Sequence, residues 1–252
     1  MKLAAAVFVA LVVCLPLPGV AQAPAAPSEG QTVDREAVIA AFTRLVDRGE
    51  ARTLFSLQPD VFWRRAGGLS LALFAADAAT LLPLLEGAAA PFAEASGQAI
   101  AVIESGPAVT AGQDLAALAP AADLVIVIGP RLVLAEVAAA GAFNRGMLAN
   151  FELGTWPFMF AFASDESRRG VMLLAEDEPP RAREASFILA TVWGLGGVTL
   201  GPEMTGLIGD AENGPFLTPL GEATFRLFFH DDLESGLPLA EVLRRAARLP
   251  VY

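Results

Sequence analysis

The spacing of hydrophobic positions changes several times along this chain, and each change predicts an element. Val38, Ile39, Phe42, Leu45 and Val46 recur at helical spacing, which predicts a helix from a Thr32 cap to about Arg48, stopped by Gly49. Leu69 to Phe74 reads as a strand, and Asp77 is placed to cap a helix from Ala78 to about Ala95, interrupted at Gly87 and Pro91. A second strand is expected over Ala99 to Ile103, then a short helix near Leu115. The unbroken apolar run Leu124 to Ile128 has the character of a strand covered on both faces. Gly129 and Pro130 turn it into a helix that ends near Gly141. Asn144 to Trp156 has mixed character and few helical cues. Phe158 to Phe162 and Gly170 to Ala175, joined by the polar Ser164 to Ser167, predict an antiparallel hairpin. Helices alone are expected afterwards, one capped by Thr218 with Pro219 in its first turn and one from Pro238 to Arg248. Strands and helices alternating, then a hairpin, then helices describe an α+β domain with a mixed sheet over residues 32–252.

The stretch Pro180 to Gly201 organises the rest. Pro180 suits a first helical turn, Arg181, Arg183 and Glu184 are polar, and Ala185 to Trp193 runs without a charge before glycines end it. A buried helix of this length and position matches the active-site helix of a metallopeptidase, in which HExxHxxG sets two zinc-binding histidines four residues apart on one face. With the motif's glycine on Gly196, Leu189 and Trp193 take the histidine positions and Ala190 that of the general-base glutamate. None of these three side chains binds zinc or moves a proton.

On these residues the chain resembles an uncharacterised family of secreted proteobacterial proteins related to the zincin metallopeptidases. That family carries EExxQxxG where the peptidases have HExxHxxG, and this chain departs further. The resemblance continues in Phe216-Leu217-Thr218-Pro219 and in Leu233-Glu234-Ser235-Gly236-Leu237, and is best over residues 180–249. It implies a zincin-like mixed sheet with a central helix and C-terminal helices. It also implies a sheet edge before the helix, along which an extended peptide lies as an added strand.

Composition and charge narrow the functional classes. Of 252 residues, 54% are hydrophobic and 18% charged, yet no segment of the mature chain reaches the roughly 18 to 20 unbroken apolar residues of a membrane span. A net charge of −11 without any concentration of basic residues argues against nucleic acid. Lys2 followed by apolar Leu3 to Leu17, with small residues at Gly19 to Ala21, predicts a signal peptide over 1–21 and a soluble periplasmic or secreted protein. Val13 before Cys14 argues against a lipid anchor, and cleavage removes that cysteine. Residues 22–31, rich in Ala, Pro and Gln, read as a disordered lead-in.

Candidate chemistry outside the helix is sparse. The lone histidine, His230, lies at a helix end beside Asp231 and Asp232, which suits a local electrostatic role. The sharper alternative is a metal-dependent envelope hydrolase with ligands from His230, Glu203 and Asp231. Gly194, Gly196, Gly197 and Gly201 follow a helix, whereas a phosphate cradle follows a strand, so they read as a helix stop. Asp210 and Glu212, in Gly209 to Gly214, read as a solvated loop rather than an acid–base pair. No GxSxG elbow and no mature cysteine supply a nucleophile. The aromatic cluster Phe143, Phe151, Trp156, Phe158, Phe160 and Phe162 suits either core packing or a peptide-binding edge. The leading expectation is a non-catalytic envelope protein, without metal or cofactor, that holds an envelope protein or extended peptide. A binder of small apolar solutes in a residual cleft beside Trp193 is a further alternative.

Overall fold

The computed structural model describes residues 33–47, 61–141, 143–162, 169–197, 206–211 and 214–251. The predicted signal peptide and lead-in, Thr32, Gly49, the Ser164 to Ser167 connection, Gly201, Glu203 and Glu212 lie outside these residues. Their elements are α1 (Arg35–Val46), β1 (Leu69–Phe74), α2 (Ala78–Ser96), β2 (Ile100–Gly106), a 3-10 turn (Leu115–Ala117), β3 (Leu124–Gly129), α3 (Arg131–Ala139), α4 (Arg145–Glu152), β4 (Phe158–Phe162), β5 (Gly170–Ala175), α5 (Pro180–Leu195), β6 (Ile208–Ala211), β7 (Gly214–Leu217), α6 (Pro219–Phe228) and α7 (Leu239–Ala246).

The fold is α+β. Its mixed sheet has the order β2-β1-β3-β5-β4, with β4 alone antiparallel at one end. All six residues of β3 are buried, because the strand lies in the middle of the sheet with helices on both faces. Helix α5 lies on one face against β3 and β5, packed beside α2, and α6 joins α1 to α2 further out. Helix α3 covers β5, and α4 packs on α3 and β4. Among the described residues no helix is long and apolar enough to cross a membrane.

Four local expectations are corrected. Asp34 caps α1, its side chain accepting from the Glu36 N–H at 3.2 Å. Asp77 does precede α2, but its side chain makes no capping bond. Helix α2 runs unbroken through Pro83, Gly87 and Pro91, because its buried stripe of Leu81, Leu85, Ala88, Phe92 and Ala95 outweighs the local helix breakers. Asn144 to Trp156 contains α4, capped by the Asn144 side chain, which accepts from the Gly146 and Met147 N–H groups.

The fifth correction concerns the segment after α5. The region read as a loop around Asp210 is a second hairpin, with Ile208 paired to Leu217 and Gly209 to Phe216. Strands this short carry too little apolar alternation to be recognised. The hairpin is held from outside: Thr218 N–H donates to the Leu207 carbonyl at 2.9 Å, and the Thr218 hydroxyl both caps α6 and donates to the Gly206 carbonyl.

Candidate functional site

Helix α5 opens with Pro180 in its first turn and stays buried from Ser186 to Leu195 except at half-buried Leu189. Its end is set by Gly196, in a left-handed conformation (φ 109°), whose N–H returns to the Trp193 carbonyl at 3.0 Å. Only glycine fits this position. A Cβ would stand 2.7 Å from the Trp63 carbonyl oxygen and 2.8 Å from the Arg64 Cα, so the turn is pressed against the 63–64 backbone.

Leu189, Ala190 and Trp193 lie in the second half of this helix. Ala190 is fully buried, Trp193 is 1% exposed, and Leu189 packs against the core from its margin. The Trp193 indole meets Phe160 edge-on, with ring centroids 4.6 Å apart, and Phe158 at 5.5 Å. Phe162 continues the row, 4.8 Å from Phe160 and 6.4 Å from Trp63. The space between α5 and the last strand of the sheet is thus filled with aromatic carbon.

The hydrogen-bond phase of β4 follows from one bond. Ala175 N–H donates to the Pro157 carbonyl at 2.9 Å, and antiparallel pairs alternate between bonded and non-bonded. Met159 and Ala161 therefore bond inward to Leu173 and Val171. Phe158, Phe160 and Phe162 turn their N–H and C=O groups away from β5. The side chains alternate in the same sense. Those of Phe158, Phe160 and Phe162 face α5, and those of Met159 and Ala161 face the α3 side.

The aromatic cluster is consequently two groups. Phe151 lies on the far side, fully buried on α4, with the Arg131 guanidinium 4.8 Å above its ring. Arg131 also donates to the carbonyls of Phe151 and Trp156 and pairs with Asp177 at 2.9 Å, which fastens the approach to β4. Phe143 lines an apolar cavity of about 350 Å³ between the end of α3 and the sheet. That cavity is bounded by Ala161 and Val171, not by Trp193.

A polar network that sequence reading missed anchors the C-terminal end of α5. The Arg65 guanidinium pairs with Asp123 at 2.6 Å and donates to the Gly194 carbonyl at 3.0 Å. The second Asp123 oxygen accepts from the Ser70 N–H and hydroxyl at 2.9 and 2.7 Å. Burial draws the Arg65 guanidinium below its ordinary value and Asp123 pushes it back up. No spacing rule links residues 58 apart, so only folding reveals this group.

At the start of α5, Glu178 is buried and its carboxyl accepts from the Ser186 hydroxyl at 3.3 Å. Burial raises this carboxyl above its ordinary value, while Ser186 and Arg183 pull it down. A group raised in the folded state stabilises below its unfolded value and loses that contribution as pH rises through the folded one. Glu178→Gln is therefore expected to stabilise the protein at neutral pH, with the gain vanishing below the ordinary value of 4.5. Urea unfolding of both chains across that range measures it, and a gain independent of pH would contradict the assignment.

Of the candidate ligands, His230 and Asp231 fall within the described residues and Glu203 does not. The His230 ring is one-third exposed, its Nδ1 accepts the Asp232 N–H at 3.2 Å, and Asp231 is exposed beside it. Among the described residues, no three His, Cys, Asp or Glu side chains lie where they can hold one metal ion. Comparison of the chain with protein-family models, with curated proteins and with solved structures finds no match.

Proposed function

We propose that this chain is an exported, non-catalytic protein with a zincin-like fold, which works in the cell envelope by holding an envelope protein or an extended peptide. The observation that carries this reading is the aromatic packing of Trp193 under Phe158 and Phe160. On the resemblance of α5 to a peptidase helix, Trp193 and Leu189 hold the ligand positions and Ala190 the base position. Leucine and alanine are hydrocarbon and the indole nitrogen holds its lone pair in the ring, so none supplies a ligand for zinc or a group for proton transfer.

What survives is the edge. β4 ends the described sheet, and Phe158, Phe160 and Phe162 lie on its α5 side. Their side chains are anchored on Trp193 and Trp63, so the edge is held rigid before any partner arrives.

The test is the elemental composition of the mature protein purified without chelator. The expected result is no stoichiometric transition metal. One zinc per chain would overturn the reading and direct attention to His230, Glu203 and Asp231.

A further inference from the structure

We infer that the outer edge of β2 takes up a short, extended, basic segment of a partner as an added strand. This rests on the reading of the chain as one that holds an extended peptide, and gives that peptide a charge and a place at the opposite end of the sheet from β4.

Strand β2 is bonded to β1 alone. The Leu69 N–H donates to the Ala99 carbonyl at 2.8 Å and the Ala75 N–H to the Gly106 carbonyl at 3.1 Å, so Ala99 and Gly106 turn backbone groups toward β1. Successive residues of a strand face alternate sides, and Ile100 and Ser105, one residue in from each end, therefore turn theirs outward. Among the described residues nothing bonds to that outer side.

Natural sheets blunt such an edge with lysine, proline or a covering element. β2 contains neither lysine nor proline, and Ala101, Ile103, Glu104 and Ser105 stand exposed. Ile103 is 49% exposed, a large apolar side chain left in water on an edge strand. The strand does carry a bulge: its register with β1 passes from Val102 to Glu104 and skips Ile103. A bulge divides the edge into two short stretches, which admits a segment of a few residues and opposes the joining of one whole sheet to another.

Charge decides the occupant. Between Arg65 and Arg131 the chain has no basic residue. The elements packed most closely on β2 are β1 and α2, and the charged side chains of these three elements are Glu86, Glu94 and Glu104. Each is exposed, and none is ion-paired among the described residues. A second copy of the chain would bring the same acids and a net charge of −11, so like charges oppose its pairing here. A segment with lysine or arginine beside Glu104 gains opposite charge across the pair, and a branched apolar residue next to it covers Ile103.

Fluorescence anisotropy with short, end-blocked, labelled peptides tests this. The probes alternate valine with lysine, with glutamine or with glutamate. At low salt the lysine peptide is expected to bind roughly tenfold more tightly than the glutamine peptide, the worth of a few surface charge pairs, and the glutamate peptide more weakly than either. Added salt is expected to erase the difference. Glu104→Gln is expected to cut the lysine peptide's advantage about threefold and to leave the glutamine peptide's binding unchanged. Ser105→Pro removes an outward N–H at an exposed edge position, where proline is tolerated, and is expected to abolish binding of every peptide with the urea midpoint unchanged. Should the proline variant unfold, Glu104→Gln decides. Equal binding of the three peptides, or a lysine-peptide affinity that survives both substitutions, overturns the β2 site and leaves the peptide-holding reading standing. Binding of none overturns both. A dimer by light scattering that Ser105→Pro returns to monomer assigns the edge to a second copy and overturns the basic segment.

Discussion

Replacing Trp193 by alanine is expected to destabilise the protein by about 3–5 kcal/mol, the usual cost of emptying a large aromatic site in a close-packed core. The indole is 1% exposed and touches two phenylalanines of the edge strand. Its removal leaves a void between α5 and β4 that the surrounding structure fills only in part. Equilibrium unfolding in urea measures the loss. A change of less than about 1 kcal/mol would show that the indole does not hold helix and edge together. Trp193→Phe is expected to cost less, because a second ring keeps part of the edge-on contact.

The second large effect is expected at Asp123. Asp123→Ala removes the carboxylate from a 2.6 Å pair with Arg65 and two bonds from Ser70, at the point where β3 begins. Arg65 has a side chain 11% exposed, so it keeps little water to replace that partner. The expected loss is about 3 kcal/mol, at the lower end of what breaking a buried pair costs because Asp123 itself is partly exposed. Asp123→Asn keeps an acceptor for Ser70 and is expected to lose less. Thermal unfolding of the two variants compares them, and equal, negligible losses would show that the network is ornamental. The same variant is expected to loosen the end of α5, because Arg65 also holds the Gly194 carbonyl and its own N–H bonds to Leu195.

Much of this fold was legible from hydrophobic period alone. The Leu69 to Phe74 strand and the start of α5 at Pro180 were placed to the residue, and β3 and α6 nearly so, because long apolar runs and proline or threonine caps are local signals. The failures share a cause. Asn144 caps a short helix whose apolar residues, Met147 and Phe151, are too few to show a period, and the β6–β7 hairpin offers two short strands that tertiary bonds from Thr218 hold in place. Helix α2 contradicts its own prolines and glycine because burial against α5, α6 and the sheet outweighs them.

By itself, the sequence determined that the α5 segment is a buried helix closed by glycine, that Leu189, Ala190 and Trp193 bring it no metal ligand or general base, and that the single histidine lies elsewhere. These properties depend on residue type and on spacings within one helix. Only the tertiary structure decided that Trp193 meets the edge strand, that Phe158, Phe160 and Phe162 turn their backbone away from β5, and that an apolar cavity lies behind Ala161. Such features depend on which strands become neighbours and in what register. A shift of one residue would reverse every side chain of β4, and bonds between distant segments set that register with no mark in the local pattern.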